Sequence, residues 1–113
     1  MIKNSICFFI IFDMMLLLEK NIKKVKTLCE KHKVEKLYLF GSATNDTFND
    51  ASDIDFLVRF KKSDLNLYFE NYMAFKEKLR KLFKRDIDLV EEQTLKNPVL
   101  INSINKSKAL IYG

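Results

Sequence analysis

Ser52-Asp53-Ile54-Asp55-Phe56-Leu57-Val58 is the stretch on which the reading of this chain turns. Two carboxylates stand one residue apart at the head of an apolar run. In an extended strand alternate side chains share a face, so Asp53 and Asp55 are expected to project together. Side by side and unpaired they would repel, and one would tend to hold a proton. An exposed acidic strand edge would tolerate them, but Phe56, Leu57 and Val58 continue as core sequence. A divalent cation removes the conflict, and Mg²⁺ is a hard ion that takes oxygen ligands.

Working outward, Leu37-Tyr38-Leu39-Phe40 reads as a strand that ends in Gly41-Ser42. Glycine lets a backbone turn tightly and approach a bulky anion. Ser42 offers a hydroxyl, and the N–H groups opening a following helix favour phosphate. A Gly-Ser pair alone is a weak signal; ahead of Asp-x-Asp it gains force. On the other side, Asp86-Ile87-Asp88-Leu89-Val90 repeats the acidic-strand pattern. Asp88 is the expected third ligand because it lies deeper in its strand, and Asp86, of the same parity, stays open. Three carboxylates can hold two metal ions about 3.5–4 Å apart. These parts suit nucleotidyl transfer, with a hydroxyl attacking the α-phosphorus of a nucleoside triphosphate and pyrophosphate leaving. Asp88 could also help deprotonate the acceptor, although an unshifted carboxylate is a poor base at neutral pH.

The rest of the chain supplies a frame. Leu18, Ile22, Val25, Leu28 and Cys29 recur at helical spacing over about residues 15–32. Strands are expected at 36–40, 53–60 and 85–90, with a short helix and loop at 43–50. Ser63 is placed to cap a helix whose apolar face is Leu65, Phe69, Tyr72, Phe75, Leu79 and Leu82. A further helix is expected at 94–106, where Pro98 fits only the first turn. Residues 109–112 suggest a brief terminal strand. The implied architecture is α+β: a small mixed β-sheet with helices packed on one face, the other face left for ligand, solvent or a partner.

The chain has 113 residues, which suffices for one small domain, and 48 % of them are hydrophobic, enough for a core. Its formal charge of +5 favours an anionic partner without choosing one, and solvated helix faces account for most individual lysine runs. No aromatic or Arg-Gly repeat marks a dedicated nucleic-acid-binding module. Cys7 and Cys29 lack metal or redox spacing, and His32 has no His or Cys neighbour, which argues against zinc. Reduced thiols fit a cytoplasmic protein. The apolar stretch at 6–12 is broken by Asp13 and is too short for a typical membrane span. Residues 1–13 are read as an N-terminal extension outside the natural domain, which would run from 14 to 113; an extra strand, a helix turn or a weak membrane contact are the other readings.

Leu39-Phe40-Gly41-Ser42 followed by Ser52-Asp53-Ile54-Asp55-Phe56-Leu57-Val58 resembles the signature of the DNA polymerase beta-type nucleotidyltransferase superfamily. Within it the chain is similar to the minimal nucleotidyltransferases, the antitoxin halves of HEPN–nucleotidyltransferase pairs. Residues 34–42, Ile87-Asp88-Leu89-Val90, Lys96-Asn97-Pro98 and Ala109-Leu110-Ile111-Tyr112 share in the resemblance. It implies the nucleotidyltransferase fold, a Gly41-Ser42 turn that grips the triphosphate of ATP, and Asp53, Asp55 and Asp88 as catalytic metal ligands. It implies Mg²⁺, with Mn²⁺ able to substitute, and transfer of AMP to a tyrosine of a HEPN-fold toxin. Homo- or hetero-oligomers are both compatible with it. Many relatives carry an Ala-Arg-Gly-like stretch after Gly-Ser, whereas Thr44-Asn45-Asp46 stands here. That removes a cation, for which Lys61, Lys62 or Lys84 would be replacements. The alternatives are a non-catalytic antitoxin and a small-molecule, aminoglycoside-like nucleotidyltransferase. The second would need a further helical region for its acceptor.

Overall fold

The computed structural model describes residues 2–41, 53–62 and 65–113, with side chains from residue 16 onward except that of Leu65. The elements run α1 (Ile2–Lys31), β1 (Val34–Phe40), β2 (Ile54–Phe60), α2 (Leu65–Phe83), β3 (Ile87–Glu91), a 3-10 turn (Glu92–Thr94), α3 (Pro98–Ser107) and β4 (Ala109–Tyr112). The four strands form one mixed sheet in the order β3-β2-β1-β4. Strand β1 is antiparallel to both β2 and β4, and β2 is parallel to β3. The parallel step is bridged by α2, the crossover that a parallel pair requires.

Alternation along the strands sorts the sheet into two faces. Ile54, Phe56, Val58 and Phe60 of β2, with Leu37 and Leu39 of β1 and Ile87 and Leu89 of β3, form one buried cluster with α1 and α2. The helices contribute Leu18, Val25 and Cys29 from α1 and Phe75, Leu79 and Phe83 from α2, each at helical spacing. A bulge between Val34 and Lys36 lets Val34 and Leu37, three residues apart, both face this core. Strand β1 therefore begins two residues before the sequence suggests. Burial pushes the Cys29 thiol up to about 12, so it serves as a small apolar side chain.

Side-chain hydrogen bonds fix the helices to the sheet. The chain leaves α1 through Lys33 and α2 through Lys84, both in the left-handed region at φ 60° and 55°. Asn71 donates to the His32 carbonyl at 2.7 Å, and the His32 Nδ1 lies 3.1 Å from the Asn71 carbonyl oxygen, tying the end of α1 to α2. Tyr72 donates its hydroxyl to the Leu89 carbonyl, binding α2 to β3. Helix α3 starts at Pro98 rather than 94. Its N-cap Asn97 accepts from the Val99 N–H at 3.0 Å, and the residues before it form the 3-10 turn.

Helix α1 is longer than the periodicity alone indicates: its backbone is continuous from Ile2, and the stretch 6–12 is helix, not strand. No helix among the described residues is long and apolar enough to cross a membrane. The expected helix and loop at 43–50 and the Ser63 cap fall outside the described residues. Phe75 is fully buried and its ring sits edge-on to Phe60 with centroids 6.0 Å apart. Phe75→Ala is expected to destabilise the protein by about 3–5 kcal/mol, read as a shift in the urea unfolding midpoint at constant slope.

Candidate active site

The sheet face opposite the helices carries the acidic residues. In the parallel ladder Ile54 pairs with Ile87 and Phe56 with Leu89, both core-facing. Between them Asp55 pairs directly with Asp88. The two carboxylates thus lie side by side on the other face, on neighbouring strands whose spacing is about 4.8 Å. Asp88 is exposed and Asp55 half-buried. Burial of the apolar neighbours on the core side leaves the carboxylates no alternative face.

Gly41 completes this end of the sheet. It follows β1, whose last residue Phe40 pairs with Asp55. Its φ is +71°, a conformation that L side chains rarely adopt. A Cβ placed on Gly41 would run into the Asp55 carboxylate. Two separate constraints therefore require glycine here, the turn and the close approach of Asp55. Ser42 and the Thr44-Asn45-Asp46 segment lie outside the described residues.

Asp53 and Asp86 flank the pair. Neither belongs to a strand; both precede one, and the Ile54 N–H donates to the Asp86 carbonyl at 3.1 Å. Asp53 is exposed and lines an open cavity of about 690 Å³ with Lys76, Glu77, Arg80, Asp86 and Ile87. The register thus brings together Asp55 and Asp88, while Asp53 stands at the mouth of the neighbouring cavity. Among the described residues no three carboxylate, His or Cys side chains are gathered into a ready metal cluster. The two-carboxylate pair does fit Mg²⁺, which dehydrates reluctantly and is commonly held by one or two carboxylates plus substrate phosphates.

Of the lysines singled out by sequence, Lys84 stands at this end, in the turn two residues before Asp86, whereas Lys61 and Lys62 do not. Lys61 and Lys62 line a cavity with Phe60, Tyr68 and Glu91 at the far end of β2. Phe60 lies five residue steps along β2 from Asp55, roughly 17 Å. They are therefore remote from the carboxylate pair. Lys76 and Arg80 of α2, four residues apart on one helical face, line the Asp53 cavity instead. Glu77 holds Arg80 through two hydrogen bonds of 2.6 and 2.9 Å. The i, i+4 spacing of Lys76 and Arg80 was the signal available in the sequence. It acquires meaning only once α2 is laid beside the start of β3.

Comparison with known proteins matches residues 23–113 to the family described as "Polymerase beta, Nucleotidyltransferase". Two Methanocaldococcus jannaschii proteins provisionally named protein adenylyltransferases are each 36 % identical, over 80 % of this chain and 87 % of their own length. A solved structure described as a minimal nucleotidyltransferase superposes with a TM-score of 0.67 at 26 % identity, covering 81 % of this chain and 90 % of that one. A toxin–antitoxin structure with AMP-PNP gives 0.64 at 26 % identity, over 82 % of this chain and 73 % of that one. At 24 % identity and a TM-score of 0.59, the same fold recurs in a complex of a tri-AMPylated Shewanella oneidensis HEPN toxin with an MNT antitoxin, over 84 % of this chain and 71 % of that one. The matched residues include all four strands, Gly41 and the Asp55–Asp88 pair. The chain is a nucleotidyltransferase and belongs to the polymerase beta nucleotidyltransferase family.

Proposed function

We propose that this protein transfers AMP from ATP to a tyrosine hydroxyl of a HEPN-type toxin and acts in the cytoplasm as the antitoxin of that pair. The observation that carries the reading is the in-register Asp55–Asp88 pair with Gly41 packed against it. The provisional protein adenylyltransferase names of the relatives, and the toxin–antitoxin assembly with AMP-PNP, support the donor and the kind of partner.

Asp55 and Asp88 would hold Mg²⁺, or Mn²⁺ in its place, with Asp53 drawn in as a third carboxylate from the adjoining cavity. A divalent ion bound there neutralises phosphate charge and favours an ionised acceptor oxygen. Gly41 admits the triphosphate where a side chain would block it, and Ser42 is assigned a hydrogen bond to phosphate. The tyrosyl oxygen forms a bond to the α-phosphorus, the bond from that phosphorus to the β-phosphate's bridging oxygen breaks, and pyrophosphate departs. Asp88, which is exposed, would also help take the tyrosyl proton on its way to water. Positioning and charge neutralisation supply most of the rate, as in phosphoryl transfer generally.

Intact-mass measurement tests this. The protein is mixed with the all-helical product of a neighbouring reading frame, ATP and Mg²⁺. The partner should gain one or more AMP units, and EDTA should abolish the gain until Mg²⁺ or Mn²⁺ is restored. Asp55→Asn and Asp88→Asn should each slow transfer by at least about 100-fold. A stable complex without any adduct would instead assign a binding-only antitoxin. Neither adduct nor complex would point to a small-molecule acceptor.

Gly41→Ala separates positioning from folding. Because its methyl displaces the Asp55 carboxylate, transfer should fall about 100-fold, the cost of a misplacement near 1 Å. The variant should still bind the partner, as checked by gel filtration.

A further inference from the structure

The helical layer carries a groove that nucleotidyl transfer does not use. Lys23 and Lys24 of α1 and Lys78 and Lys81 of α2 line it, with Leu28 and Leu82 at its base, in a volume of about 510 Å³. The leucines are half-buried and pack against the core, while the lysines are exposed. Each helix thus offers one leucine flanked by two cations, from Lys24 to Leu28 and from Lys78 to Leu82 at i, i+4 spacing. The groove lies among the helices that cover the Phe56 face, on the opposite side of the sheet from Asp55 and Asp88.

Four lysines around one groove repel one another. No carboxylate lines it, and among the described residues none of the four is in a salt bridge. Glu77, one turn before Lys81, attracts it, but it is hydrogen-bonded by Arg80 and does not line the groove. An anionic occupant would relieve the repulsion. A second copy of this chain presenting the same groove would bring the same charge and add to it. Nucleic acid would use the lysines but not the leucine base, and the lining holds no aromatic ring on which bases could stack.

We infer that the α1–α2 groove docks an acidic amphipathic helix of a partner protein. The helix lays apolar side chains at i, i+3 or i+4 and i+7 on Leu28 and Leu82, and its flanking Asp or Glu face the four lysines. Because the groove and the carboxylate pair lie on opposite sides of the sheet, the docked helix leaves nucleotide access open.

The test is fluorescence anisotropy with a designed, labelled peptide of about four helical turns carrying a Leu stripe edged with Glu. The wild-type protein should bind it saturably, and more weakly as salt rises. Lys78→Glu with Lys81→Glu should weaken binding about tenfold, and Lys23→Gln with Lys24→Gln should weaken it in the same direction. Circular dichroism of both variants should match the wild type. A peptide with Ser in place of its Leu stripe should not bind. No saturable binding, or binding indifferent to both lysine pairs, overturns the inference. Tighter binding of a single-stranded RNA oligonucleotide, lost on the same lysine reversals, overturns it in favour of nucleic acid.

Discussion

The register between β2 and β3 is the constraint on which the rest of the molecule depends. It pairs Ile54 with Ile87 and Phe56 with Leu89 on the core side, and so sets Asp55 beside Asp88 on the other. A slip of one residue would bury carboxylates and expose isoleucine and phenylalanine. Burial of each large apolar side chain contributes about 1.5–3 kcal/mol, and the core ladder holds several of them. Hydrophobic energy thus holds together two like charges that would otherwise separate. The Tyr72 hydroxyl, bonded to the Leu89 carbonyl, secures the same strand from the helical side.

The electrostatics of that arrangement lead to its chemistry. Two carboxylates on neighbouring strands, one exposed and one half-buried, present oxygen ligands of the kind a divalent cation takes. Gly41 keeps the space beside Asp55 clear of side-chain atoms and turns the chain with a positive φ. Asp55, Asp88 and Gly41 converge at one end of the sheet from three different strands or strand ends. Lys76 and Arg80 of α2 line a separate cavity with Asp53 and Asp86, so that positive and negative groups meet there.

Much of this was legible in the sequence because it rests on local patterns. The alternation of Asp55 with Ile54 and Phe56 gave the strand and its two faces, and Asp88 with Ile87 and Leu89 did the same. The spacing of Val25, Cys29, Phe75 and Leu79 gave two amphipathic helices, and all four residues are fully buried. Element ends were less legible. The bulge in β1 breaks the two-residue period, so alternation alone does not reveal that Val34 faces the core. Pro98 could have begun the last helix or sat within its first turn, and the Asn97 cap decides for the former. Parity puts Asp53 on the face of Asp55; it stands one residue before β2 begins at Ile54 and lines the neighbouring cavity. The remoteness of Lys61 and Lys62, and the nearness of Arg80, come from how α2 crosses over the sheet, which no local pattern encodes.

Membership of the polymerase beta nucleotidyltransferase family fixes the class of reaction. The central claim is narrower: Asp55 and Asp88 form a single cation site because strand register pairs them. Electron paramagnetic resonance of Mn²⁺ titrated into the protein with an α,β-methylene ATP analogue tests it directly. The wild type should bind Mn²⁺ saturably, and Asp55→Asn or Asp88→Asn should each remove that binding while the fold is kept. Undiminished Mn²⁺ binding by a folded Asp88→Asn variant would contradict the account.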